Sequence, residues 1–403
     1  MNDPFSHLLP RVTPLQGTSP ETALWEIGES IPQLAYLTHS YFRYYGKFPS
    51  TIASQLLTDY PAPPGAVLLD NFAGSGTSLV EASRRGVPSV GVDLNPLGVL
   101  AGRVKTAIYD PFALRFAVSD VLAAAEAMQV DVLDERLDSR RVEKWFGDEA
   151  ARELQALSYA VEGYGDKEQG AFLALALLAI IRRVSRAYDG EVRPHINPRK
   201  AQRSPFEAYA KKVEEMIDIQ WAFTSTYPDR APAITILADA TEDYTDRLPD
   251  GDYWLVISHP PYLNCFDYLP VFRPELDWAR LLPSYVEPHE YASLRKSELH
   301  AWPANEETCA GYYESLAAAY RVVFDQQPPG GRCAVIIGDC TIKGKLEPAH
   351  QKVISLMGEI GYRTERVNYR STHYGTGKYA YSHRADYHGD DAEKRDAIIV
   401  FKK

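Results

Sequence analysis

The chain has 403 residues, 45% of them hydrophobic and 24% charged, with a formal net charge of −11 at pH 7. This is the composition of a soluble globular protein, too long for one small core and readable as one large or two modest domains. No apolar run approaches the ~20 residues that span a bilayer, no signal-like leader opens the chain, and the four cysteines form no Cys-x-x-Cys pair. The expectation is a cytoplasmic protein with reduced thiols, no structural metal and no membrane association.

Residues 1–30 carry Pro and Ser and predict an extended arm. A short helix is expected from about residue 52, entered through Pro49 and Ser50. Beyond a proline-rich turn, Ala66-Val67-Leu68-Leu69-Asp70 has the apolar character of a buried strand. A glycine turn follows, then a helix over 77–85 and a second strand over 89–93. This strand–turn–helix–strand unit spans about 30 residues, the size of one parallel crossover. From 111 to about 227 the periodicity turns helical, most clearly over 118–128, 150–161 and 170–188. Strands resume at 234–237, 253–257, 333–337 and 397–401. The alternation predicts an α/β protein with a doubly wound, mostly parallel sheet. The sheet domain is divided between residues 1–110 and 232–403 by a helical insertion over 111–231.

Two short stretches carry chemistry. In Asp70-Asn71-Phe72-Ala73-Gly74-Ser75-Gly76-Thr77 a glycine turn leaves a buried strand and opens a helix, so backbone can approach a ligand closely. The next strand ends in Asp93, placed to accept hydrogen bonds from both hydroxyls of a ribose. Ser78 and Leu79 follow Thr77, so the third glycine of a dinucleotide fingerprint is missing. That favours S-adenosylmethionine, whose sulfonium brings no pyrophosphate. The second stretch is Ser258-His259-Pro260-Pro261-Tyr262, at the carboxyl end of the strand over 253–257. An exocyclic amine conjugated with its ring is a poor nucleophile until acceptors take its N–H hydrogens. The Pro260 carbonyl is one candidate acceptor, a neutral His259 imidazole another, and Tyr262 a stacking surface for a base rotated out of a duplex.

These residues resemble the DNA amino-methyltransferases, which act on N4 of cytosine or N6 of adenine. The resemblance implies a Rossmann-like methyltransferase sheet. It places Phe72 by the adenine or methionine portion of the cofactor, Gly74 and Gly76 along the methionine moiety within the Gly74-Ser75-Gly76-Thr77 turn, and Asp93, followed by Asn95, at the ribose. The stretch 39–49, ending in Lys47, Phe48 and Pro49, resembles the family segment that helps to close the cofactor pocket. Asp239 falls where the family has a polar residue near the adenine ring, and reads equally well as a helix cap. The family writes Ser-Pro-Pro-Tyr for most cytosine-N4 enzymes and Asp- or Asn-Pro-Pro-Tyr for most adenine-N6 enzymes. Here His259 precedes the prolines; Ser258, one place earlier, leans the reading toward cytosine N4. The continuation through Asn264, Asp267 and Tyr268 resembles an extended loop that reaches the base or the strand.

Recognition of double-stranded DNA with a flipped target base would fall to the insertion. Residues 181–212 hold nine Lys or Arg against three Asp or Glu, a local excess suited to a phosphate-tracking surface. The candidates are Arg182, Arg183, Arg186, Arg193, Arg199, Lys200 and Arg203. A second candidate surface interleaves Arg370, Lys378 and Arg384 with Tyr374, Tyr379, Tyr381 and Tyr387. The leading reading is a site-specific cytosine-N4 DNA methyltransferase, working beside a partner nuclease or in another host-defence system. Adenine-N6 methylation, methylation of an RNA amine, and a catalytically silent DNA-recognition subunit are the alternatives.

Overall fold

The structure, a computed structural model, describes residues 3–15, 21–28, 30–263, 267–299, 305–372 and 396–403. Its strands are β1 (Arg11–Leu15), β2 (Glu21–Ile27), β3 (Ala66–Asp70), β4 (Ser89–Asp93), β5 (Ala233–Leu237), β6 (Asp252–Ser258), β7 (Arg332–Gly338), β8 (Cys340–Ile342), β9 (Lys345–Glu347), β10 (Arg363–Thr372) and β11 (Asp396–Lys402). Nine of them form one sheet in the order β1-β2-β10-β11-β7-β6-β3-β4-β5, while β8 and β9 make a separate hairpin. From β7 to β5 every neighbouring pair is parallel. β11 runs antiparallel to both β7 and β10.

The central strands are apolar because both faces of the sheet are covered. All five residues of β3 are buried, as are the last six of β6 and of β7. Side chains alternate between two cores, as a period of two requires. Cys333, Val335 and Ile337 face one, with Ala397, Ile399 and Phe401. Ala334 and Ile336 face the other, with Ile398, Val400, Trp25 and the helix Ser50–Asp59. The α/β class and the doubly wound sheet are therefore as the sequence predicts.

The strands expected at 66–70, 89–93, 234–237, 253–257, 333–337 and 397–401 all form, some one residue longer at an end. The N-terminal arm contains two strands rather than free extended chain. β2 turns Ala23, Trp25 and Ile27 inward and pairs in parallel with β10. β10 and the β8–β9 hairpin are additions that the sequence reading lacks.

Residues 111–231 hold five helices, Pro111–Glu126, Ser139–Trp145, Asp148–Glu162, Lys167–Val184 and Pro205–Thr226. The first starts seven residues before its apolar periodicity becomes clear, because Asp110 caps it and Pro111 takes its first turn. Their hydrophobic core also takes in Leu97, Leu100 and Val104 of the helix Pro96–Thr106, together with Leu276, Trp278 and Leu281 beyond β6. The insertion thus packs as a continuous extension of the sheet's own helical layer. Among the described residues, no helix is long and apolar enough to cross a membrane, and no group of three His, Cys, Asp or Glu is placed to hold a metal.

Candidate active site

The strand order reverses at β3 and β6: one crossover runs from β3 to β4, and β6 lies on the opposite side. Ligands in open α/β sheets bind outside the carboxyl ends of the strands at such a point. Both motifs of the sequence leave the sheet there. Between them lies a cavity of about 850 Å³, part of it open to solvent, which takes wall residues from both motifs.

One wall is the glycine turn. Gly74 and Gly76 both adopt left-handed φ values, 51° and 77°, which glycine enters without a Cβ clash. Gly74 lines the cavity, and its amide donates to Asp93 Oδ2 at 2.7 Å. Gly76 does not line it. A Cβ there would lie 2.9 Å from Gly102 Cα, so this glycine serves the packing of the turn on the helix Pro96–Thr106. Phe72, Ser75 and Thr77 also line the cavity. Asp93 accepts from the Asn95 amide at 2.8 Å as well, and Asn95 caps the helix Pro96–Thr106 while lining the cavity. Burial pushes the Asp93 carboxyl up to about 6, against these two donors.

Asp70, expected to bind cofactor, sits below the turn instead. It is fully buried, does not line the cavity, and accepts from the Phe72 amide at 3.1 Å and from the Ser78 hydroxyl. Burial, with the nearby Asp93 charge, pushes its carboxyl up to about 7. Its role is to hold the turn. Lys105 does the same from the other side, its buried ammonium donating to Ser75 O and Ser75 Oγ at 2.9 Å each.

A second wall is the segment 39–49. Tyr44, Gly46, Lys47 and Phe48 line the cavity; Pro49 only leads into the next helix. Lys47 Nζ donates to His39 O at 3.1 Å, and burial lowers its ammonium to about 8. His39 is itself pinned to the buried Glu81 at 3.0 Å, and burial lowers its imidazole to about 4. Asp239 completes the rim from the end of β5. It lines the cavity and also accepts from Thr241 N and Oγ1, at 2.9 and 2.7 Å, which closes a local turn; no helix starts there, so the helix-cap reading of Asp239 does not hold.

The His-Pro-Pro corner forms the opposite side. His259 and Pro261 line the cavity, and the His259 ring stands edge-on to Phe48 and to Tyr262, 5.2 Å from each. Pro261 O accepts from Tyr312 OH at 2.7 Å, a clamp on the corner that the sequence does not advertise. Ser258 points away: it is fully buried with Oγ 3.1 Å from Tyr320 OH. Tyr262 is buried too and packs beside Gly338, where a Cβ would meet its ring at 2.6 Å. Neither residue, nor Pro260, lines the cavity, so the stacking role expected of Tyr262 is not supported by its placement.

Tyr268, expected in a loop that reaches the base or the strand, does line the cavity, while Glu298 and Asn71 are wall residues to which the sequence assigns no role. Tyr268 lies over Gly46, whose Cβ would meet the ring at 2.4 Å. Glu298 accepts from the Leu269 amide at 3.0 Å and from the Tyr268 amide, and pairs with Arg295, which also reaches Asp267 at 3.0 Å. Asn71 is fully buried in the cavity wall with both amide atoms lacking a hydrogen-bond partner among the described residues. A buried amide left unpaired is costly, and it marks this wall as built for a polar ligand.

Three of the basic residues expected on DNA are internal ties instead. Arg182 is buried, its guanidinium donating to Tyr45 OH at 2.7 Å, to Val192 O at 2.9 Å and to Val271 O. Lys200 donates to Ala187 O at 2.8 Å and pairs with Asp189 at 2.7 Å. Arg370 is buried against Asp396. Arg183, Arg186, Arg193, Arg199 and Arg203 are exposed. Asn264, Lys378, Arg384 and the tyrosines at 374, 379, 381 and 387 lie outside the described residues.

No protein-family model matches the chain. It is 25% identical over 241 residues to the type II methyltransferase M.MvaI of Kocuria varians, covering 56% of this chain and 53% of that one. It is 27% identical over 136 residues to M.MjaII of Methanocaldococcus jannaschii, covering 32% and 26%. It is 21% identical over 315 residues to M.BsoBI of Geobacillus stearothermophilus, covering 69% and 59%. Both of these are type II methyltransferases as well. The chain therefore spans between a quarter and three fifths of the length of these relatives. Among solved structures, TrmN from Thermus thermophilus is 12% identical, with 89% of this chain and 50% of that chain covered. The rRNA methyltransferase aviRa from Streptomyces viridochromogenes is 13% identical, with 89% and 86% covered. Their TM-scores are 0.30 and 0.31.

Proposed function

We propose that the chain is an S-adenosylmethionine-dependent methyltransferase acting on the exocyclic amine of a base in DNA. One observation carries the reading: the glycine turn with Asp93, and His259 with Pro261, line one cavity at the sheet's switch point. The type II methyltransferase relatives support it. The cavity suits the cofactor in size. Asp93 faces it with an acceptor for ribose hydroxyls, Asn71 offers an unpaired amide, and Phe72 an apolar ring.

When bound, the cofactor supplies an electrophilic methyl group on its sulfonium. The chain's part is to make the amine nucleophilic. His259 accepts an amine hydrogen through a ring nitrogen and takes up the proton released on transfer. Pro260 lies behind the wall, so the second acceptor that the sequence suggests is not carried by its placement; Tyr312, donating to Pro261 O at 2.7 Å, fixes the corner that presents His259. Phe48, edge-on to the imidazole, limits how that ring can turn.

Ser258, which inclined the sequence reading to cytosine N4, is turned into the core toward Tyr320. The proposal therefore rests on the amine, with cytosine N4 and adenine N6 as its two targets. A role beside a partner nuclease or in another host-defence system would follow from site-specific methylation. Incubation of the protein with DNA or RNA and labelled cofactor, followed by mass spectrometry of the nucleosides, tests the reading. Labelled N4-methylcytosine or N6-methyladenine from DNA is expected. Label in RNA alone, or in no nucleic acid, would overturn it.

A further inference from the structure

A second cavity, of about 760 Å³, lies on the far side of the segment 39–49. Along that segment the chain alternates. Tyr44, Gly46, Lys47 and Phe48 line the first cavity, while Phe42, Arg43 and Tyr45 line the second. The second is basic: Arg43, Arg182, Arg183 and Arg203 surround it, opposed by Asp189 and Glu275. In a chain of net charge −11, such a concave concentration of guanidinium groups is a local reversal of the field.

The four arginines differ in how they are held. Arg182 forms the floor, bonded to Tyr45 OH and to backbone carbonyls, with Nε 3.4 Å from Glu275. Arg43 and Arg203 are tethered lightly to one loop, Arg43 to Gly190 O at 3.0 Å and Arg203 to Asp189 at 3.4 Å. Arg183 is exposed and has neither hydrogen bond nor ion pair to any described residue. Asp189 is half exposed and already neutralised by Lys200 at 2.7 Å. Guanidinium groups converge on phosphate oxygens in forked pairs, and Phe42 and Leu178 give the cavity an apolar lining that strengthens such pairs.

We infer that this cavity binds a phosphodiester of the nucleic-acid strand, through Arg43, Arg183 and Arg203 on a floor set by Arg182. The inference rests on the proposed function for the identity of the strand. The two cavities share the 39–49 wall, so the basic cavity lies one layer of chain from the one that His259 lines, within reach of a strand that delivers its base there.

The test uses the full chain and a fluorescent DNA duplex, with binding measured by anisotropy across a salt series. Wild type is compared with Arg183→Gln and with the triple variant Arg43→Gln, Arg183→Gln, Arg203→Gln. Thermal melting checks folding, and calorimetry measures cofactor affinity in each protein. The slope of log K against log salt should fall by about one for Arg183→Gln and further for the triple variant. The triple variant should lose at least tenfold in affinity at low salt, with cofactor affinity within twofold of wild type. Inorganic phosphate, at constant ionic strength, should compete with DNA for wild type and not for the triple variant. An unchanged slope, or phosphate that binds without displacing DNA, overturns the inference. Methyl transfer by wild type with an unchanged slope leaves the proposed function intact, whereas a changed slope without methyl transfer defeats that function and not this site.

Discussion

Tyr44 and Tyr45 are consecutive residues that serve opposite cavities, and one ring, Phe272, packs against both. It stacks on Tyr44 with centroids 4.7 Å apart and lies 5.8 Å from Tyr45. Tyr44 lines the first cavity and reaches Asn95; Tyr45 lines the second and takes a hydrogen bond from Arg182. The wall between the cavities is therefore a single layer of chain anchored by one buried aromatic from beyond β6.

Phe272→Ala should loosen that wall on both sides. Truncating a fully buried phenylalanine costs about 3–5 kcal/mol, and Phe272 has no exposed surface. Urea unfolding should show a loss in that range. Cofactor affinity, measured by calorimetry well below the unfolding transition, should fall at least tenfold. A variant destabilised but unchanged in cofactor affinity would show that Tyr44 keeps its place without the stack.

Gly98 offers a sharper probe of the glycine turn. A Cβ on Gly98 would lie 2.5 Å from Gly74 O, so the helix Pro96–Thr106 touches the turn backbone directly. Alanine suits a helix interior better than glycine by about 1 kcal/mol, yet here it must displace the carbonyl beside the cavity. Gly98→Ala should lower stability by about 1–3 kcal/mol and weaken cofactor binding at least tenfold. Gly358→Ala, in a helix where nothing lies near the added carbon, should leave cofactor affinity unchanged.

Asp93 should make cofactor binding pH-dependent. Its carboxyl, pushed up to about 6 by burial, must be ionised to accept from ribose hydroxyls, so binding favours the deprotonated form. Affinity should be flat above pH 7 and fall by up to tenfold per unit as the pH drops below about 6. Calorimetry between pH 5 and 8 measures this. Asp93→Asn should weaken binding at least tenfold at pH 8 and flatten the profile; a steep acid limb persisting in the variant would assign the proton to another group.

Much of the fold is legible in the sequence because its central strands are covered on both faces. β3 and β11 read as unbroken apolar runs, and no helical pattern competes with them. β10 is hidden because Arg363, Glu365, Arg366 and the buried Asn368 interrupt any apolar run along it. Its strand character comes from pairing with β2 and β11, partners far away in the chain. The site divides in the same way. Gly74, Asp93 and His259 are visible because backbone conformation and local chemistry restrict those positions. Glu298 and Tyr312 reach the site only through tertiary contacts. Arg182 shows the limit of counting charge: it belongs to a basic cluster, yet its guanidinium is spent on carbonyl groups inside the protein.

Asp70 should set a pH dependence of stability with a sign opposite to that of most carboxylates. Burial and the Asp93 charge raise its carboxyl from 3.8 to about 7 in the folded protein, so the folded state keeps a proton that the unfolded chain releases. Its contribution is fully present below about pH 4 and is lost as the pH rises through about 7, by up to about 1.4 kcal/mol per unit. Asp70→Asn keeps an acceptor for the Phe72 amide and can donate to Ser78, but it cannot ionise. Urea unfolding at pH 5 and pH 8 should show the variant gaining on wild type by more than about 1 kcal/mol at the higher pH. A difference between the two proteins that stays constant across that range would mean Asp70 is ionised throughout and that the turn rests on a buried charge.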